Sequence, residues 1–208
     1  MNNAVGTAAK FNTPTAMAVD SASGNLYVSD SNNRVIRMVD TSSAYVTTIA
    51  GTGTAGTTDG DALSEATFIF VRGLTVLSSG TILVADTNAH QLRTITNGTV
   101  ATLAGSTSGY VNSFGTAAKF NFPYGPLLDP AGFLYVGDTS NFRIRRVFPA
   151  TGGVEWFAGT GAAGTTDGST RVATMGSPQA LAWTTDGVNS ALLVLDTTYN
   201  TLRRIIMT

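Results

Sequence analysis

Cysteine is absent from the 208 residues, which excludes disulfides, thiolate metal sites and a cysteine nucleophile. Histidine occurs once, at His90. A single imidazole cannot supply the ligand set of a catalytic zinc, and no serine in a nucleophile-elbow context accompanies it for a triad. No run approaches the roughly 18 apolar residues of a membrane-spanning helix, and residues 1–10 lack the basic-then-apolar order of a secretory signal. Charge is scarce too: Asp, Glu, Lys and Arg make up 12% of the chain, about half of the roughly 25% usual in globular proteins. With a net charge of −1 and arginines that recur instead of clustering, the sequence carries no nucleic-acid footprint. Thr, Ser, Asn and Gly must form most of the wet surface, and such a weakly solvated surface suits packing against neighbours or glycans.

What the chain does have is repetition. An Asp is followed seven residues later by an Arg at Asp30/Arg37, Asp86/Arg93, Asp138/Arg145 and Asp196/Arg203, with the aspartates 56, 52 and 58 residues apart. That period is the length of one four-stranded propeller sheet. Each copy opens on an aromatic or Met and usually a Pro: Phe11 to Pro14, Phe68 to Val71, Phe120 to Pro123, Met175 to Pro178. Proline cannot donate to a ladder, so it marks a strand start. Four strands per copy then follow from the pattern. The first spans 15–20, 72–77, 124–129 and 179–184; the second, most apolar, spans 26–30, 82–86, 134–138 and 192–196. The third spans 34–40, 90–96, 142–148 and 200–206, and its alternation predicts a buried face and a wetter face carrying the Arg. The fourth spans 45–51, 99–105 and 154–159, each ending in Ala-Gly. Glycine-rich turns and loops join them, two of which nearly coincide: "GTGTAGTTDG" at 51–60 and "GTGAAGTTDG" at 159–168.

The order Pro, apolar strand, Gly, "LYVSD" or "ILVAD", Asn or His in the next turn, Arg, then "TLAG" resembles the NHL-repeat β-propellers. Asn33, Asn141 and His90 match the Asn-His of that pattern, while Ala89, Tyr199, Arg34, Phe142 and Asn200 depart from it. The resemblance covers essentially the whole chain and implies an all-β propeller of four visible blades, with repeats at approximately 1–51, 52–105, 106–159 and 160–208. The strand count runs four, four, four and three, so a larger propeller, of six blades, or an arc completed by another chain is expected. The same family embraces RNA binders, sensors, lyases and scaffolds, so fold alone does not assign activity.

Because every copy carries the Asp and Arg, they read as a structural clasp: the carboxylate accepts turn N–H groups and faces the guanidinium on the paired strand. Asp59, Asp61, Glu65 and Asp167, in the glycine-rich loops, are the candidate calcium ligands, although "TTDG" is equally good turn sequence. The glycine strings lack the Gly-Lys-Ser/Thr of a phosphate loop. Asn97-Gly98-Thr99 is an N-glycosylation sequon, and its Asn-Gly is equally the preferred two-residue hairpin turn. Tyr110, Phe114, Tyr124 and Phe142 are candidate partner contacts, and Trp156 and Trp183 fall in strands. The expected function is a non-enzymatic interaction or structural module, extracellular or at the cell surface. It meets a protein partner or its own copies through strand edges and loops. The alternatives are a calcium-assisted propeller hydrolase and a ligand-sensing ectodomain.

Overall fold

The computed structural model describes residues 2–185 and 187–207. Met1, Asp186 and Thr208 lie outside them. The chain is all-β, with four sheets of propeller-blade type, and divides into two compact units, Met1–Leu103 and Ala104–Thr208.

In the first unit the strands are β1 Ala4–Val5, β2 Pro14–Val19, β3 Leu26–Asp30, β4 Val35–Asp40 and β5 Tyr45–Ala50. They are followed by β6 Gly60–Asp61, β7 Val71–Val76, β8 Ile82–Asp86, β9 Gln91–Thr96 and β10 Thr99–Gly105. They form two antiparallel sheets ordered β1-β5-β4-β3-β2 and β6-β10-β9-β8-β7. In the second unit, β11 Pro123–Leu128, β12 Leu134–Asp138, β13 Arg143–Phe148 and β14 Gly153–Ala158 form a third sheet in sequence order. The fourth sheet is β15 Pro178–Thr185, β16 Ser190–Asp196 and β17 Thr201–Met207.

Pro14, Pro123 and Pro178 are the first residues of their strands, where a missing N–H removes no ladder bond. The second strand of each sheet lies between two neighbours and is the most apolar, as a strand covered on both faces must be. After its closing Asp the chain makes a single 3-10 turn at Ser31–Asn33, Thr87–Ala89 and Thr139–Asn141. Arg34, His90 and Phe142 follow those turns in the left-handed conformation, with φ of 56°, 58° and 56°. His90 is therefore the residue that reverses the chain into β9, and its amide donates to the Thr87 carbonyl.

Two expectations are corrected. The first two sheets have five strands, not four, because the loop that precedes a sheet returns to cover that sheet's outer edge. Ala4 and Val5 pair with Val46 and Tyr45, and Gly60 and Asp61 pair with Val100 and Thr99. In the third sheet the same place is taken by Ser113 and Phe114: the Val154 amide donates to the Ser113 carbonyl, and Phe114 bridges Gly153. Edge strands with bare N–H and C=O groups are templates for pairing, and this wrapping satisfies them locally. The second correction concerns the Arg face, which is not wet. Arg37, Arg93 and Arg145 are fully buried, the three largest fully buried side chains among the described residues.

Within each unit one sheet lays a flat apolar face on the next. Ile36 and Ala50 of the first sheet pack with Leu74, Val84 and Val100 of the second and with Phe68, which leads into it. In the other unit Tyr135, Ile144 and Ala158 pack with Met175, Leu192 and Val194. A hydroxyl just after the repeated Asp ties these pairs together: Ser31 Oγ donates to the Val71 carbonyl at 2.6 Å and Thr139 Oγ1 to the Pro178 carbonyl at 2.8 Å.

Candidate functional site

The repeated Asp and Arg meet because they lie on neighbouring strands two positions apart in register, Val28 opposite Arg37 and Asp30 opposite Val35. The ion pair spans 3.8 Å in Asp30/Arg37 and Asp86/Arg93 and 2.8 Å in Asp138/Arg145, with all six side chains buried. The carboxylates also accept backbone N–H groups from the segment that opens the repeat: Asn12 to Asp30, Ile69 and Phe70 to Asp86, Asn121 to Asp138. The guanidinium reaches the other way, into the loop. Arg93 donates to the carbonyls of Thr58 and Thr67, and Arg145 to those of Val111 and Lys119. An aromatic ring lies under each cation, Phe11 under Arg37, Phe68 under Arg93 and Phe120 under Arg145, at 5.2–5.6 Å. The aromatic before each of the first three repeats is thus the floor of the Arg site.

The fourth copy differs. Asp196 accepts the amides of Gly176 and Ser177, and Arg203 binds Asp167 at 2.5 Å together with the carbonyls of Thr166 and Thr174. Asp167 does for Arg203 what Asp59 does for Arg93, at 2.5 Å. Sequence reasoning did not assign this role to the loop aspartates, although the identical "TTDG" strings held the signal.

The four candidate metal ligands are engaged in this way instead of converging. Asp59 bonds Arg93 and Thr102; Asp61 Oδ1 accepts the amides of Leu63 and Ser64; Glu65 accepts the Asp61 amide; Asp167 bonds Arg203. Among the described residues no group of three or more His, Cys, Asp or Glu is placed to hold a metal ion. Asn97 sits at the tip of the β9–β10 hairpin with φ of 50°, followed by Gly98 at 75°, the two left-handed residues of a tight turn. Its side chain is exposed. Of the aromatic candidates, Phe114 is 69% exposed beside a depression of about 380 Å³ formed with Phe148, Val154 and Glu155. Tyr110 stacks on Arg143 and Arg145, while Tyr124 and Phe142 are half-buried. Trp156 and Trp183 are half-buried as well.

Burial holds the carboxyls of Asp86 and Asp138 above the ordinary aspartate value of 3.8, outweighing their N–H donors and the arginines. Burial likewise pulls Arg37 below its ordinary value, with Asp30 opposing. On the surface the sign reverses: hydrogen bonds from Ser42 and Ser43 lower Asp40 to about 2, and Ser64 leads the lowering of Asp61. A raised carboxyl contributes stability below its unfolded value and loses it as pH rises through the folded value; a lowered one contributes above 3.8 and loses it as pH falls. The urea midpoint is therefore expected to hold or rise from neutrality down to about pH 4 and to fall only below that. A midpoint that drops steadily from pH 7 would contradict the assignment.

The NHL repeat family matches residues 68–95, the segment from Phe68 through most of β9. An NHL repeat-containing protein 2 from Bos taurus is 38% identical over 92 residues, which is 44% of this chain and 13% of that protein. An auxiliary nutrient binding protein from Bacteroides ovatus superposes with a TM-score of 0.76 at 17% identity, over 96% of this chain and 50% of the other. A gluconolactonase from Xanthomonas campestris superposes with a TM-score of 0.67 at 14% identity, over 96% and 60%. At such identities the likeness is one of fold. The chain spans about an eighth of the length of the curated relative.

Proposed function

Because the chain carries NHL repeats folded as propeller blades, we propose that it is a non-enzymatic protein-interaction scaffold, working outside the cell or at its surface. The observation that carries this reading is the division of labour between its polar and apolar residues. The repeated charges, the usual source of catalytic groups, are spent inside the sheets on one another and on loop carbonyls. Apolar side chains, by contrast, stand on exposed sheet positions: Met17, 71% exposed, and Val19 on β2, and Leu202, 68% exposed, and Ile206 on β17. Large apolar residues exposed on a strand are what a partner surface needs, and the low charge of the chain leaves little to repel one. The sequon at Asn97, on an exposed turn, fits an extracellular setting.

The test is sedimentation of the purified chain across a concentration series, with lactone hydrolysis assayed with and without calcium. Association that weakens in Leu202→Lys, and no turnover above background, is the expected result. A chain that stays monomeric throughout and turns over a lactone only with calcium would sink the reading and favour the hydrolase.

A further inference from the structure

We propose that Asn97 is a covalent modification site, the attachment point of one N-linked glycan carried on the hairpin tip between β9 and β10. The inference rests on the extracellular part of the scaffold reading and names what covers this end of the second sheet.

Asn97-Gly98-Thr99 is the only Asn-x-Ser/Thr in the chain. The turn accounts for its first two residues and not for the third: Asp-Gly or Gly-Gly would reverse the chain equally well, whereas glycan transfer needs the carboxamide of Asn and a hydroxyl two residues on. How the side chains are used separates the two roles.

The corresponding turns of the first and third sheets spend their polar side chains on their own backbone. Asp40 Oδ1 accepts the amides of Ser42 and Ser43, and Ser43 Oγ accepts that of Tyr45. Thr151 Oγ1 accepts the amide of Gly153. In the second sheet the Asn97 carboxamide and the Thr99 hydroxyl make no hydrogen bond among the described residues, and residues 96–99 are all exposed. The turn therefore holds Asn97 by its left-handed backbone, φ 50°, and leaves its amide idle in water. Space is available too. A Cβ at Gly98 would meet nothing within 4 Å, so a branched chain at the tip displaces no packed atom. The loop that covers this sheet's edge meets the tip where the Ala62 amide donates to the Gly98 carbonyl at 2.8 Å. Leu63, 59% exposed, is the next residue of that loop, so the first sugar ring has an apolar neighbour.

The co-reactant is an oligosaccharide linked through C1 to a polyprenyl diphosphate. Asn97 Nδ2 bonds to that C1, the C1–O bond breaks, the diphosphate leaves with the electron pair, and one Nδ2 proton passes to solvent. The carboxamide keeps one N–H, and nothing is oxidised or reduced.

The test is secretion of the whole chain from cultured insect cells behind a cleavable leader, with intact mass read before and after peptide-N-glycosidase. One added glycan is expected, assigned by tandem mass spectrometry to the peptide that trypsin releases between Arg93 and Lys119. Because the tip is exposed, the glycosidase is expected to remove it as completely from the folded chain as from the denatured one. Asn97→Asp, which suits the left-handed turn, and Thr99→Ala are each expected to lose the added mass entirely with an unchanged circular dichroism spectrum. Thr99→Ser is expected to keep it. A secreted chain of unmodified mass, a glycan that persists in Asn97→Asp or Thr99→Ala, or release only after denaturation overturns the proposal. Such a failure leaves the scaffold reading to its own sedimentation result, whereas lactone turnover would sink that reading and leave the mass measurement standing.

Discussion

Arg145→Ala is expected to lower the unfolding free energy by about 3–5 kcal/mol, while Arg203→Ala costs less than about 2 kcal/mol. The two arginines occupy the same place in consecutive sheets, so the contrast isolates environment from position. Arg145 is fully buried; its guanidinium satisfies Asp138 at 2.8 Å, Asn112 Oδ1 at 2.6 Å and two backbone carbonyls, and it lies over Phe120 and Tyr110. Truncation leaves Asp138 buried without its counter-charge, with only the Asn121 amide and Asn141 as donors, and strips the Lys119 and Val111 carbonyls of their guanidinium donor, leaving each only the other's amide. It also opens a cavity the size of the side chain. Arg203 also bonds two carbonyls, of Thr166 and Thr174, but its charge partner is the loop residue Asp167, nine-tenths exposed, so water takes over much of what the side chain supplied. Arg145→Lys falls between the alanine variant and the native protein, since an ammonium keeps the charge but not the planar fork that reaches four acceptors. Trp156 and Trp183 both lie in the unit that holds Arg145, so urea unfolding followed by tryptophan fluorescence reads the effect directly. Equal losses in the two alanine variants would show that burial of the pair is not what matters.

The same arginines show where a sequence is readable and where it is not. The strands were legible because their signals are local: Pro at the start of β2, β11 and β15, β-branched runs closed by Asp, and Ala-Gly at the end of the fourth strand. The second strands in the first three repeats lie where the pattern puts them, at 26–30, 82–86 and 134–138. The environment of the Arg was not legible, because alternation along β9 says only that one face is more apolar than the other. What buries Arg93 is a loop arriving from about thirty residues earlier in the chain with Phe68 at its end, and nothing in the strand encodes that arrival. The five-stranded sheets were missed for the same reason: Ala4 meets Val46 and Gly60 meets Val100 through tertiary folding, not through a local turn. Asp59 and Asp167 could have been found. Nearly identical loops before two sheets, each holding one carboxylate that a turn does not require, are a recurring charge in want of a recurring partner. The recurring Arg was the candidate to hand.

The closing glycine of the fourth strand gives the second large effect, and its origin separates two causes that usually come together. Gly159→Ala is expected to cost about 2–5 kcal/mol and Gly132→Ala about 1–2 kcal/mol, although both glycines have φ of 89°. Any L-residue at that angle is strained, so both variants pay for the backbone. Only at Gly159 is there no room: a Cβ there would lie 2.6 Å from the Phe142 carbonyl oxygen and 3.2 Å from the Arg143 Cα, whereas at Gly132 nothing lies within 4 Å. The atoms it would meet are backbone, held by the left-handed turn at Phe142 that leads into β13, and they cannot swing aside as a side chain tip could. Relief would require β13 and β14 to move apart at Ile144 and Ala158, whose pairing already carries a bulge and whose side chains are buried in the core of that unit. Gly51 repeats the arrangement in the first unit, with φ of 97° and the Arg34 carbonyl at the same place. The Ala-Gly ending is therefore a pair of constraints: an alanine small enough for the packed face and a glycine under the turn that launches the previous strand. If Gly159→Ala and Gly132→Ala lower the urea midpoint equally, the close approach is tolerated and backbone strain alone explains the motif.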